Sequence, residues 1–212
     1  MESHRVRSSR ARESLAVALV LSAVTASGQA PSPVRSLAEI RHDHVVVQQW
    51  DTSCGAAALA TILNYQHGYA VPEKAVAEAM LRRTDPLKVK VRGGFSLLDL
   101  KRYVDAAGFQ GVGYMNLGVD DLVDAAPAIV PVDVRGYSHF IVVRGRAGAK
   151  MLIADPAYGN RTMDLEAFER AWQGNIGFVV RRRDGRAPPN ELVARPSDLL
   201  RPSDAAIRSS LR

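Results

Sequence analysis

The rhythm of apolar and polar positions changes near the middle of the chain. From Cys54 to Gln66 (CGAAALATILNYQ) alanine and leucine dominate. Thr52 or Ser53 can cap the start and Gly68 can close the end, which predicts a buried helix with Cys54 in its first turn. A second helix is predicted from Pro72, a favourable first-turn residue, to about Arg83, with Val76, Ala79 and Met80 inward. Ser96 and Asp99 form a capping-box pattern that opens a third helix, ended by Gly108. Residues 84–95, with Gly93 and Gly94, read as the loop between these two, and a short helical segment follows near Val119 to Ala125. Beyond it come short β-branched runs at Ala128–Val134, Phe140–Arg144, Met151–Ala154 and Ile176–Arg181. Turn residues separate them at Arg135-Gly136, Gly145–Gly148 and Tyr158-Gly159-Asn160, and one amphipathic helix, Leu165–Trp172, interrupts them. His44–Gln49 is β-branched and short, a strand or an extended lead-in. Helices first and an antiparallel sheet second predict an α+β fold.

The flanks have a different character. Arg5, Arg7, Arg10 and Arg12 precede an apolar run, Leu15–Ala26, and small residues follow, so residues 1–30 read as a signal peptide. The run falls short of the roughly 20 residues of a comfortable membrane span; an uncleaved membrane anchor facing the periplasm is the alternative. Residues 31–43, with Pro31 and Pro33, read as a linker, 44–182 as the folded domain, and 183–212 as a basic, disordered tail that the domain does not need. An exported, periplasmic protein is therefore expected.

Charge and cysteine content narrow the chemistry. The 212 residues carry a formal net charge of +6. Residues 1–13 hold four arginines against two glutamates, and 181–212 hold eight arginines against four acids, so the body between them is neutral. A basic groove of the kind that neutralises phosphates is excluded, and with it nucleic acid as a partner. One cysteine excludes an internal disulfide framework and any multi-cysteine metal site. The His42-Asp43-His44 cluster is a weak metal signal in a polar linker, and no metal or organic cofactor is implied.

A lone thiol in an exported protein is a liability unless it is buried or used. Cys54 sits at a helix start, but a helix N-terminus contributes only about 0.3–1 kcal/mol towards a thiolate. Lowering a thiol from about 8.5 to about 4, as in papain-type sites, takes roughly 6 kcal/mol. An imidazolium from elsewhere must supply the difference. His139 enters an apolar strand at Tyr137-Ser138-His139-Phe140, and Asp155 ends the next one at Ala154-Asp155-Pro156. A hairpin through Gly145–Gly148 would set the start of one strand beside the end of the other, bringing His139 to Asp155. Donors for an oxyanion would be the Cys54 N–H and an amide side chain, Gln48 or Gln49. Asp51 reads as a cap of the Cys54 helix.

Gln48-x-x-Asp51-x-x-Cys54-Gly55-x-Ala57-Ala58-Leu59, a His-Phe-x-Val-Val strand and an Asp-Pro together resemble the double-glycine leader peptidases, papain-like cysteine peptidases that mature bacteriocin-type precursors. The resemblance spans about residues 44–182. It implies a papain-like fold with Cys54 as nucleophile, His139 as base, Asp155 as the orienting carboxylate and Gln48, six residues before the cysteine, as oxyanion donor. Without a Walker A motif or a membrane bundle, and with an export signal, the chain looks like the stand-alone exported branch. The expected function is cleavage of a peptide or protein precursor, after a double-glycine-like site, alongside a secretion or fibre-export system. A transacylase on the same site, or a non-catalytic precursor-binding accessory, are the alternatives.

Overall fold

The computed structural model describes residues 36–200 together with 203, 206, 207 and 209. The expected signal segment lies outside the described residues. Ser36 caps a one-turn helix, α1 (Leu37–Arg41), through a reciprocal capping box with Glu39, so part of the expected linker is folded. Residues 45–48 then run extended without joining a sheet; Val46 N–H donates to Thr61 Oγ1 (2.9 Å) and Gln48 N–H to the Pro156 carbonyl (2.8 Å).

The alanine-rich segment forms α2 (Cys54–Thr61), buried along its whole length, and continues as a widened π-helical turn over Ile62–Gln66. Helix α3 (Glu73–Leu81) starts after Pro72 and buries Val76 and Met80. Residues 86–92, expected as loop, are a helix, α4 (Pro86–Arg92). Asp85 accepts from Leu87 N–H (2.9 Å), Pro86 occupies the first turn, and Gly93 ends the helix at φ +76. Those start and stop signals were present in the sequence, but the exposed, alternating PLKVKVR between them lacks the apolar stripe of a buried helix. The Ser96–Asp99 capping box opens α5 (Leu97–Ala106) as expected.

Six antiparallel strands follow: β1 (Phe109–Tyr114), β2 (Ala128–Val134), β3 (Tyr137–Ala147), β4 (Lys150–Asp155), β5 (Gly159–Asp164) and β6 (Gly177–Arg182). They form one sheet in the order β1-β6-β2-β3-β4-β5. Helix α6 (Val119–Asp124) lies between β1 and β2, and α7 (Leu165–Ala171) between β5 and β6. The architecture is α+β, as the element order predicted.

Both faces of the sheet are buried. Ile129, Val142, Ala154 and Phe178 pack with residues of α2, α3 and α5, while Val130, Val143, Ile153 and Val179 pack with Leu122 of α6 and Phe168 of α7. Successive strand residues point to opposite faces, so central strands covered on both sides read as continuous apolar runs. The two strands missing from the sequence reading break that rule. In β1 Gly111 and Gly113 dilute the pattern, and a Cβ on Gly111 would meet Phe178 at 2.7 Å and Val104 at 2.8 Å. In β5 Gly159 to Met163 are all buried, and three of the five, Asn160, Arg161 and Thr162, are polar groups whose burial depends on partners elsewhere in the fold.

The segment after Arg183 corrects the expectation of a disordered tail. Leu192 and Asp198 are fully buried, and Asn190 and Glu191 N–H groups donate to the Gln66 and Tyr65 carbonyls. Asp198 accepts from Arg144 of β3 through both oxygens (3.1 and 3.3 Å), and Arg144 also donates to Asn160 Oδ1 and the Leu192 carbonyl. A buried arginine needs this anion, and it comes from a segment whose composition alone looks solvated. Asp198→Ala, or truncation after Arg183, is therefore expected to destabilise the domain by about 3 kcal/mol, the usual scale for breaking a buried ion pair. Urea unfolding followed by circular dichroism checks this, and a loss below about 0.5 kcal/mol would match an ordinary surface change instead.

Candidate active site

Cys54 is the first residue of α2 and is buried. Its neighbour Gly55 lets the first turn come close to β3: a Cβ there would meet Phe140 Cδ2 at 3.3 Å and Leu100 Cδ1 at 3.2 Å. Phe140 is the residue after His139. The Cys-Gly pair thus sets the thiol next to the strand entry that carries the imidazole.

His139, Asp155 and Arg161 lie on one face of the sheet by register. Val143 pairs with Ile153 and Ile153 with Arg161, paired residues in antiparallel strands share a face, and even offsets along β3 and β4 lead to His139 and Asp155. His139 Nε2 donates to Asp155 Oδ1 at 2.8 Å, with the two side chains 5% and 0% exposed. Ala157 N–H donates to the same oxygen (2.8 Å), while Arg161 Nε and Nη2 donate to Oδ2 at 2.9 and 2.8 Å. An ionised carboxylate only accepts, so the proton on Nε2 is assigned and Nδ1 is left as the free ring position. Nδ1 is buried and makes no hydrogen bond of normal geometry. Cys54 is nevertheless near enough to the ring to favour its protonated form.

The electrostatics follow from these contacts. Burial, the largest influence on His139, disfavours its charged form. The hydrogen bond to Asp155, the nearness of Cys54 and the charge of Asp155 outweigh it and raise the pKa from 6.5 to about 9. Burial pushes Asp155 upward, but the His139 hydrogen bond and the charges of Arg161 and His139 prevail and hold it below the usual carboxylate value.

Gln48 is anchored through its main-chain N–H to the carbonyl of Pro156, the residue after Asp155. Its Nε2 donates one hydrogen to the Trp50 carbonyl (3.0 Å), and its Oε1 is buried without a partner. Gln49 has an exposed side chain, and its main-chain N–H is held by the carboxyl of Glu73 on α3. The helix-capping role expected of Asp51 is not what the structure uses. Ser53 holds the N-cap position without a side-chain cap bond, and Asp51 offers its carbonyl to Tyr137 Oη (2.7 Å). His44 Nδ1 lies 3.1 Å from an Asp43 carboxyl oxygen and its Nε2 3.4 Å from one of Glu191, and among the described residues no group of three or more potential ligands could hold a metal.

Cys54 and His139 open onto a groove of about 590 Å³ lined by Gly93–Leu98 and by Pro131, Phe140, Gln173, Gly174 and Ile176. Of the four candidate residues named from sequence, Cys54 and His139 line this groove, Asp155 is hydrogen-bonded to His139, and Gln48 is bonded through its main chain to the residue after Asp155. Arg161 was missed because it follows a turn signal and belongs to a strand with no apolar pattern. Its spacing, six residues beyond Asp155 across a tight turn, is the only trace it leaves in the sequence. Gly159, at φ +80, makes that turn, and a Cβ there would lie 2.5 Å from the Arg41 carbonyl.

Comparison with known proteins places the chain in a family. The model of the peptidase C39 family matches residues 42–184. A protein of Pseudomonas aeruginosa named probable functional amyloid protease FapD is 37% identical over 185 residues, covering 85% of this chain and 81% of that protein. Its namesake in Pseudomonas fluorescens is 37% identical over 167 residues, covering 78% and 72%. Among solved structures, a double glycine motif protease from an AMS/PCAT transporter, in complex with the leader peptide, superimposes with a TM-score of 0.53 at 26% identity, over 65% of this chain and 90% of that one. The peptidase domain of Streptococcus ComA shares the fold, with a TM-score of 0.54 at 23% identity over 66% of this chain and 98% of that domain. With the family model spanning nearly the whole described body, the chain belongs to the peptidase C39 family and is a cysteine-type peptidase.

Proposed function

We propose that this chain is an exported peptidase that cuts a protein precursor after a double-glycine-like site, acting for a fibre-forming secretion system. The observation that carries the mechanism is the buried imidazole of His139, held at Nε2 by Asp155 and acted on by the thiol of Cys54. The name of the two Pseudomonas relatives supports a functional-amyloid substrate, and the leader peptide bound to the transporter protease supports a peptide in the groove. The apolar run at residues 15–26 supports export.

In this mechanism His139 takes the proton of Cys54, and the thiolate attacks the scissile carbonyl. The negative charge that develops on oxygen is stabilised by the Cys54 N–H and the second hydrogen of Gln48 Nε2. The imidazolium then protonates the leaving amine, which departs and leaves a thioester. His139 next removes a proton from water, and attack on the thioester releases the new carboxylate and restores the thiol. Asp155 holds the ring in one tautomer and stabilises it when charged, and Arg161 keeps the carboxylate in place.

Mass spectrometry of exported proteins from cells carrying wild-type or Cys54→Ala chain tests the substrate side. A precursor cut after paired small residues only in the wild type is expected; identical protein ends in both would reject the proposal. Iodoacetamide should modify Cys54 readily at pH 6–7, and His139→Ala should slow this at least tenfold. An unchanged rate in that variant would separate the imidazole from the thiol.

The raised pKa of His139 fixes the sign of the pH dependence. The protonated ring is lost as pH climbs through about 9, so kcat/KM should fall on an alkaline limb centred near that value. Asp155→Asn should move this limb to lower pH by a unit or more. A group raised from 6.5 to about 9 gives its stabilisation in full below 6.5 and loses it as pH rises through about 9, so Tm should decline over the same interval. A flat Tm from pH 6 to 10 would show that the ring's charge is not coupled to folding.

A further inference from the structure

Glu73, the first residue of α3, is 3% exposed, and no ion pair reaches it among the described residues. A carboxyl group in that position is costly unless donors satisfy it. The donors come from one place. Gln49 N–H lies 3.2 Å from Oε1 and 3.1 Å from Oε2, and the Ser53 hydroxyl donates to Oε1. Glu73 therefore grips both ends of the loop 49–53, which connects Gln48 to Cys54. Inside that loop the Trp50 carbonyl accepts from Ser53 N–H (3.1 Å) and Gln48 Nε2 (3.0 Å), while the Ser53 Oγ, its one hydrogen directed to Glu73, accepts from Trp50 N–H (3.3 Å). The orientation of the Gln48 amide is thus tied to the Trp50 carbonyl, the carbonyl to Ser53, and Ser53 to Glu73.

We infer that Glu73 is a positioning residue for the oxyanion site: it holds the loop that aims the Gln48 amide and the Cys54 N–H at a common point. This rests on the acyl-transfer reading above and extends it to a residue on a different helix. Glu73 touches neither His139 nor Asp155 in the hydrogen-bond network, so its effect falls on oxyanion stabilisation and leaves thiolate formation intact.

Two reagents separate these properties in the full chain. Iodoacetamide reacts with the thiolate by displacement of iodide and needs no oxyanion site. 4-Nitrophenyl acetate is attacked at its carbonyl, passes through an oxyanion, forms an acetyl thioester on Cys54 and releases 4-nitrophenolate. In Glu73→Ala and the milder Glu73→Gln, the acylation rate should fall at least tenfold in the first and by less in the second. Alkylation at pH 7 should stay within about twofold of wild type in both. Gln48→Ala should lower acylation likewise, and the double variant should lose little more than the worse single one, because coupled residues are not additive.

Unchanged acylation in both Glu73 variants would overturn the inference. So would parallel loss of alkylation and acylation, which marks general damage, or strict additivity with Gln48→Ala. A wild-type chain that alkylates but releases no more nitrophenolate than Cys54→Ala would instead remove the acyl-transfer reading, and this inference with it.

Discussion

A carboxylate buried to zero exposure sits at the centre of the molecule's chemistry, and its neutralisation is the constraint the rest serves. Removing an ionised carboxylate from water costs several kcal/mol unless charge and hydrogen bonds replace the lost hydration. Asp155 obtains them in a divided way, with Arg161 on Oδ2 and His139 with the Ala157 amide on Oδ1. The division matters. Arg161 is a permanent cation, so the carboxylate remains compensated in either protonation state of the imidazole. In the proposed reaction the ring alternates between those states, and the partner that orients it need not move.

The fold builds this cluster from strand ends rather than from a flexible loop. The β3–β4 hairpin brings His139 to Asp155, and the three-residue connection before Gly159 returns the chain so that Arg161 stands diagonally across from the carboxylate. The helical half contributes Cys54, delivered by a helix whose small residues permit close approach to Phe140. Two hydrogen bonds then join the halves, the Gln48 N–H to the Pro156 carbonyl and the Tyr137 hydroxyl to the Asp51 carbonyl. Each contact is ordinary in strength, and they converge on residues 48–54.

Legibility in the sequence followed the type of interaction involved. Cys54, His139, Asp155 and Gln48 could be named because each adjoins a local signal: a helix start, a strand entry, an Asp-Pro and a fixed spacing. Helix α5 could be placed because its capping box lies within four residues. Glu73, Arg161, Arg144 and Asp198 could not. Charged residues of this kind usually lie on a surface, and nothing near them in sequence marks them as buried. Their partners stand 20, 6, 54 and 54 residues away.

The sequence by itself determined the class of fold, the order of helices before strands, and which residue types were available for a thiol-based chemistry. Those properties depend on periodicity, caps and turns, which act over a few residues. Only the tertiary structure decided which ionisable groups were removed from water and what compensated them. Burial is a property of the assembled layers, and the price of an unpaired charge there is set by a partner that chain distance does not reveal. The ordering of residues 190–198, the ring state of His139 and the grip of Glu73 on the loop before Cys54 all belong to that second kind.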